Sequence, residues 1–162
     1  MTQTLPRVAH EHHERLTQHV DAMPAVADRL LTASAEEIRA AAFDLGSFVT
    51  GTFVPHMESV ERTLYPELER LLQNRHSMAP MRHEHEELRR LAKEFAKAAE
   101  TLATGSAGIG KVMGLRRVMF RLYALAKVHL AEEEAYLRIV SHGQSAEAGE
   151  LMAAALAHPV AD

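Results

Sequence analysis

Ile38, Ala42, Leu45, Val49, Phe53, His56, Val60, Leu64, Leu68 and Leu71 follow one another at steps of three or four. Only an α-helix puts such positions on one face, so this stretch is a long helix with one side turned to a core. Three more stretches repeat the pattern. Leu16, Val20, Met23, Ala27 and Leu30 line a first helix from about Leu5 into the low thirties, where Pro24 predicts a kink or a break. Met81, His85, Leu88, Ala92, Phe95, Ala99 and Leu102 line a third, with Pro80 in its first turn. Leu115, Met119, Leu122, Ala126, His129, Glu133, Leu137 and Val140 line a fourth, from about Lys111 to Ser141 and ended by Gly143. Ser34 with Glu37 three residues later reads as a capping box that opens the second helix. Gly46, Gly51 and Pro55 predict an irregular middle for that helix, and Pro66 a kink near its end.

No segment has a persuasive period-two strand pattern. Short connections join the helices, among them "QNRHSMAP" and "TGSAGIG". The expected fold is all-α: one domain over 1–162, with an antiparallel up-down four-helix bundle at about 5–141. "SAEAGELMAAALAH" predicts a short additional C-terminal helix at about 145–157.

Composition removes several functions. There is no cysteine, hence no disulfide, iron–sulfur cluster or thiolate zinc site, and the cytoplasm is the default location. A formal net charge of −4 with scattered Lys and Arg argues against nucleic acid as a partner. No apolar run reaches the roughly 18 residues of a spanning helix, and no cationic-then-apolar signal pattern opens the chain, so no membrane association is expected. Two motifs are decoys. "GSAGIGKV" (105–112) has Val112 where a phosphate loop needs Ser or Thr, and it follows a helix instead of a strand. "HEHEE" (83–87) lacks the second His of a zinc-protease helix.

The histidines are the unusual feature: eleven in 162 residues. His56, His85 and His129 each stand where the stripe calls for an apolar side chain, and Glu133 follows His129 by one turn, about 40° round. Burying such groups alone is costly, and the cost vanishes if they share a cation. On the first helix His13 fits the inward stripe better than His12, which aligns with His19 and leans aside. Imidazoles with a few carboxylates and no thiolate suit iron, manganese or zinc, and the donor count suits two ions better than one. A ferritin-type arrangement is excluded, because no candidate histidine has Glu three residues before it.

With "PHMESVERTLYP" (55–66), "APMRHEHEELRRL", "VHLAEEEAYL" and an early helix-one histidine in this order, the chain resembles the hemerythrin-like, or HHE cation-binding, family over roughly 5–141. That resemblance implies a four-helix bundle with two iron ions, oxo- or hydroxo-bridged; zinc or manganese are alternatives. It implies His13, His56, His85, and His129 with Glu133 as metal ligands. The family pattern has Glu four residues after the helix-two His, where this chain has Val60. Glu61 and Glu58 lie about 140° and 200° round from His56 on a regular helix. Glu61 is the preferred sixth ligand, on the expectation that a kink or π-bulge near Pro55 returns a five-residue step towards the same face. Oxygen-carrying members also have a His where this chain has Met81, which counts against plain oxygen transport.

The remaining histidines, His10, His19, His76, His83, His142 and His158, are expected at the surface, with Glu58, Glu132 and Glu134. His83 and His12 keep outer-shell or alternate-ligand roles in view. Tyr65, Tyr123 and Tyr136 read as packing residues, and Tyr65 is placed to donate to a bound oxygen species. The implied partners are small molecules: O2, H2O2 or NO. The expected function is binding of or reaction with these species, including catalase-like peroxide decomposition. The alternatives are a non-enzymatic sensor or a bundle with a structural metal. A monomer or weak homodimer is expected.

Overall fold

All four apolar stripes lie on helices. The structure, a computed structural model, describes residues 5–104 and 108–142. Helix α1 spans Leu5–Arg29, α2 Ala35–Phe48, α3 Val54–Leu71, α4 Ala79–Ala103 and α5 Ile109–His142. A π-helical turn, Val49–Phe53, joins α2 to α3 without a loop, so five helices make four rods. There is no strand among the described residues. The predicted helix at 145–157 and the end at Gly143 lie outside them.

Local chemistry accounts for the boundaries. Ser34 Oγ accepts from the Glu37 amide at 3.2 Å, and Glu37 Oε2 accepts from the Ser34 amide at 2.7 Å, the reciprocal cap expected at the start of α2. Pro55 has no N–H to continue the regular ladder. The chain widens by one residue just before it, and the Val54 amide reaches back five residues to the Val49 carbonyl. At the end of α3 the Gln73 amide bonds Arg70 O at 3.2 Å and the Asn74 amide bonds Glu69 O at 3.0 Å, while Gln73 takes φ 50°. This pattern closes a helix through a left-handed residue, a position usually filled by Gly. Neither proline breaks its helix: α1 runs through Pro24 and α3 through Pro66.

Cross-links between rods establish the antiparallel order. Arg116 bonds Ala27 O and Asp28, Lys127 pairs with Asp21 one segment on, and Glu133 meets His13 further still, so α5 descends along α1. Arg121 with Glu94 and His129 with Glu84 do the same for α5 and α4. Glu69 with Arg82 and Glu61 with Arg89 do so for α3 and α4.

Among the described residues the buried apolar side chains form two clusters. The larger includes Leu16, Val20, Met23, Phe53, Met57, Leu88, Phe95, Leu115, Leu122 and Leu130. The smaller holds Val60, Leu64, Tyr65, Leu68, Met78, Met81 and Leu137. Each fully buried side chain of this size contributes roughly 1.5–3 kcal/mol. Between the clusters lie His12, His13, His56, His85, His129 and Glu133, all buried. No helix among the described residues is long and apolar enough to cross a membrane.

Candidate metal centre

Glu133 is the middle of this buried layer. Its Oε2 stands 3.1 Å from His56 Nε2, 3.3 Å from His13 Nε2 and 3.6 Å from His129 Nε2. One carboxylate from α5 therefore faces imidazoles from α1, α3 and α5 itself. His56 and Glu133 are in hydrogen-bond geometry; His13 Nε2 is near but off the line of a bond and has no partner. Glu133 Oε1 is also buried without a partner. Two orphaned buried polar atoms on facing residues are uncommon, and their natural resolution is a cation between them. His13, His56 and Glu133 offer ligand atoms within 4.8 Å of one another.

On the other side of Glu133, His85 and His129 present Nε2 to Nε2 at 2.9 Å, with ring centroids 4.5 Å apart. Each ring has its Nδ1 committed elsewhere: His85 Nδ1 donates to Glu61 Oε1 at 2.7 Å, and His129 Nδ1 donates to Glu84 Oε2 at 2.9 Å. Both Nε2 atoms are then left without their own N–H and face one another, with the Tyr65 hydroxyl 3.2 Å from the His85 Nε2. Two nitrogens about 2.1 Å from one ion and at a right angle to each other stand about 3 Å apart. His13, His56 and Glu133 are thus the group whose spacing suits a cation, and the His85–His129 spacing is compatible with one. The carboxylate–histidine pairs at Nδ1 are the partners that orient metal-ligating imidazoles and raise their basicity.

The electrostatics agree with this geometry. Burial pushes the Glu133 carboxyl upward, but the facing imidazoles of His56, His129 and His13 outweigh it and hold it well below the usual carboxylate range. Burial, reinforced by the neighbouring His129, lowers His85 to about 4 against the pull of Glu133 and Glu61. Burial likewise lowers His56, with Glu133 opposing. His129 is the exception: burial lowers it, yet Glu133 and Glu84 together raise it. Neutral imidazoles facing an ionised carboxylate are the protonation states that a cation takes as ligands.

The five residues His13, His56, His85, His129 and Glu133 thus come together from four rods. Glu61 stands elsewhere. The π turn precedes His56 instead of following it, so the step from His56 to Glu61 is regular, and Glu61 points to the outer nitrogen of His85 while accepting from Arg89 at 2.9 Å. Glu58 and Glu132 are exposed, as are His19, His76 and His83. His10, His142 and His158 lie outside the described side chains. His12 is buried beside His13, with Nε2 3.2 Å from His56 Nδ1. Burial, with the nearby His56, His13 and Arg15, lowers His12 to about 3. Tyr65 is wholly buried, stacked on His85, with its hydroxyl 3.2 Å from His85 Nε2. Burial and the charges of Glu133, Glu61 and Glu84 raise its pKa, so it is a neutral donor. Val60 and Met81 are buried in the smaller apolar cluster and offer neither imidazole nor carboxylate.

Glu84 was not singled out by sequence, although it directly precedes His85; a charge about 100° off the buried stripe looks solvated until α5 lies against it. Glu134, expected at the surface, is partly buried, with Oε2 3.6 Å from His13 Nδ1. A cavity of about 510 Å³ between α1 and α2, lined by Met23, Val26, Phe43 and Phe48, lies away from this cluster and gathers no comparable set of ligands.

Comparison with known proteins agrees with this geometry. The family model described as hemerythrin HHE cation binding domain matches residues 4–137. No curated protein and no solved structure matches the chain.

Proposed function

Because the chain belongs to the hemerythrin HHE cation-binding domain family, we propose that its metal is a pair of irons which binds or reacts with an oxygen species (O2, H2O2 or NO), with peroxide decomposition as the activity. His85 and His129 would hold one ion and His13 and His56 the other, with Glu133 between the two. The observation that carries this reading is the shared carboxylate: Glu133 Oε2 lies within 3.6 Å of an imidazole from each pair while its Oε1 has no partner. A lone metal would leave one imidazole pair buried without a cation.

A bound iron pair supplies the electron transfers that convert two peroxides into one O2 and two waters, one peroxide oxidised and the other reduced. The protein's own part is binding and exclusion. The apolar clusters on either side keep bulk water from the layer. Glu133 stays ionised. Glu61 and Glu84 hold His85 and His129 in the tautomer that leaves Nε2 free. Tyr65, neutral and buried, has a hydroxyl proton to donate on the Nε2 side of His85. Val60 and Met81 offer neither imidazole nor carboxylate, so positions that a richer ligand set would fill would be left to a small molecule.

The test is elemental analysis with a visible spectrum of aerobically purified protein, followed by an oxygen electrode on addition of peroxide. Two irons per chain, near-ultraviolet charge-transfer bands and oxygen release are expected, with colour and release both lost in His129→Ala. Two irons without turnover would leave a sensor or binder. One colourless zinc would end the redox reading and leave a structural metal.

A further inference from the structure

Four of the five converging side chains are sealed: His56, His85, His129 and Glu133 are at most 1% exposed, whereas His13 keeps 4%. That residual surface is the floor of a groove of about 260 Å³ between α1 and α5, walled by Glu14, Thr17, Lys127, Leu130, Ala131 and Glu134. The His13 ring is thus a partition, with Nε2 toward Glu133 and Nδ1 toward Glu134 at 3.6 Å. Small side chains, Thr17 and Ala131, flank the opening. Its one cation, Lys127, is held by both oxygens of Asp21 at 2.6 and 2.8 Å. Glu14 and Glu134 line the same groove, the latter paired with Arg138 at 3.4 Å.

We propose that this groove is the route by which the metal cation reaches the buried centre, with the His13 side chain as the gate. A divalent cation is drawn to the carboxylates of Glu14 and Glu134 and then passes as the His13 ring rotates. The ring's Nε2 is in no hydrogen bond of good geometry and gives up only the 3.3 Å approach to Glu133 as it turns. The other imidazoles are tied at Nδ1 to Glu61, Glu84 and His12 and lack that freedom. This inference rests on the metal reading above, though not on which metal is native.

The test follows Co2+ uptake by metal-free protein in stopped flow, and its removal by a chelator, in wild type and in Ala131→Leu, which narrows the groove. Ala96→Leu, on the exposed face of α4, is the control. Ala131→Leu is expected to slow uptake and removal alike by about tenfold, with the final stoichiometry and affinity unchanged, since a narrowed path alters rates and not the bound state. Glu14→Gln with Glu134→Gln is expected to slow uptake severalfold at low salt and little at high salt, as screening requires. Equal rates in Ala131→Leu, Ala96→Leu and wild type would overturn the route. Failure of wild type itself to bind Co2+ would instead overturn the metal reading, so the two failures are distinguishable.

Discussion

The two imidazole pairs that flank Glu133 are built alike on their inner side and differently on their outer side. His85 and His129 each have a carboxylate at Nδ1, Glu61 at 2.7 Å and Glu84 at 2.9 Å. In the other pair, His56 has an imidazole there, His12 at 3.2 Å, and His13 has only Glu134 at 3.6 Å. An ionised carboxylate accepts a charge-assisted bond and makes the imidazole a stronger ligand; a neutral imidazole orients its neighbour with less effect on basicity. One pair is therefore anchored and the other softer, with the groove between α1 and α5 opening on the softer side.

The largest effect is expected where the two pairs meet. Glu133→Gln removes the charge facing both, and bound metal should fall by more than about a hundredfold in affinity at each pair, given that outer partners alone are worth 10–100-fold. Elemental analysis after dialysis reads it; retention of one full equivalent would mean that the pairs do not depend on a common carboxylate. A smaller effect separates the pairs. Glu84→Gln should weaken metal binding by about 10–100-fold, whereas His12→Gln, which can still donate or accept, should cost under about tenfold. Competitive chelator titration measures both, and equal losses would erase the asymmetry.

The smallest effect concerns acid. His12 and His85 have pKa values lowered from 6.5 to about 3 and about 4, so the metal-free fold holds them neutral while the unfolded chain protonates them. The unfolded state then binds more protons, and stability falls as pH drops from about 6.5 toward the folded values. In the anchored pair the raised pKa of His129 works in the opposite sense and offsets part of the loss; in the softer pair His12 and His56 are both lowered. Thermal melts of the metal-free protein should lose several degrees between about pH 7 and 5; His12→Gln should flatten the dependence, whereas Glu84→Gln, which removes part of the offset at His129, should steepen it. Parallel slopes in all three proteins would count against this division.

Much of the candidate site was legible because periodicity reports the angle at which a side chain leaves its helix. His56, His85, His129 and Glu133 interrupt apolar stripes, and a polar group on a buried stripe announces a partner. The same logic opened α2 at Ser34 and put Leu16 to Leu30 inside. Pro55 and the nearby glycines foretold irregularity but not its phase. The π turn fell upstream of His56, which left Glu61 on the outer flank.

What the sequence by itself determined is the four-rod bundle and the inward face of each rod, since these depend on spacing along one helix. Only the tertiary structure decided which helix lies against each flank: that Glu84 belongs to His129, Glu61 and Tyr65 to His85, and His12 to His56. The reason is physical. A residue's angle about its own axis is local, near 100° per step, whereas the partner of an imidazole nitrogen is whatever a distant segment brings within about 3 Å.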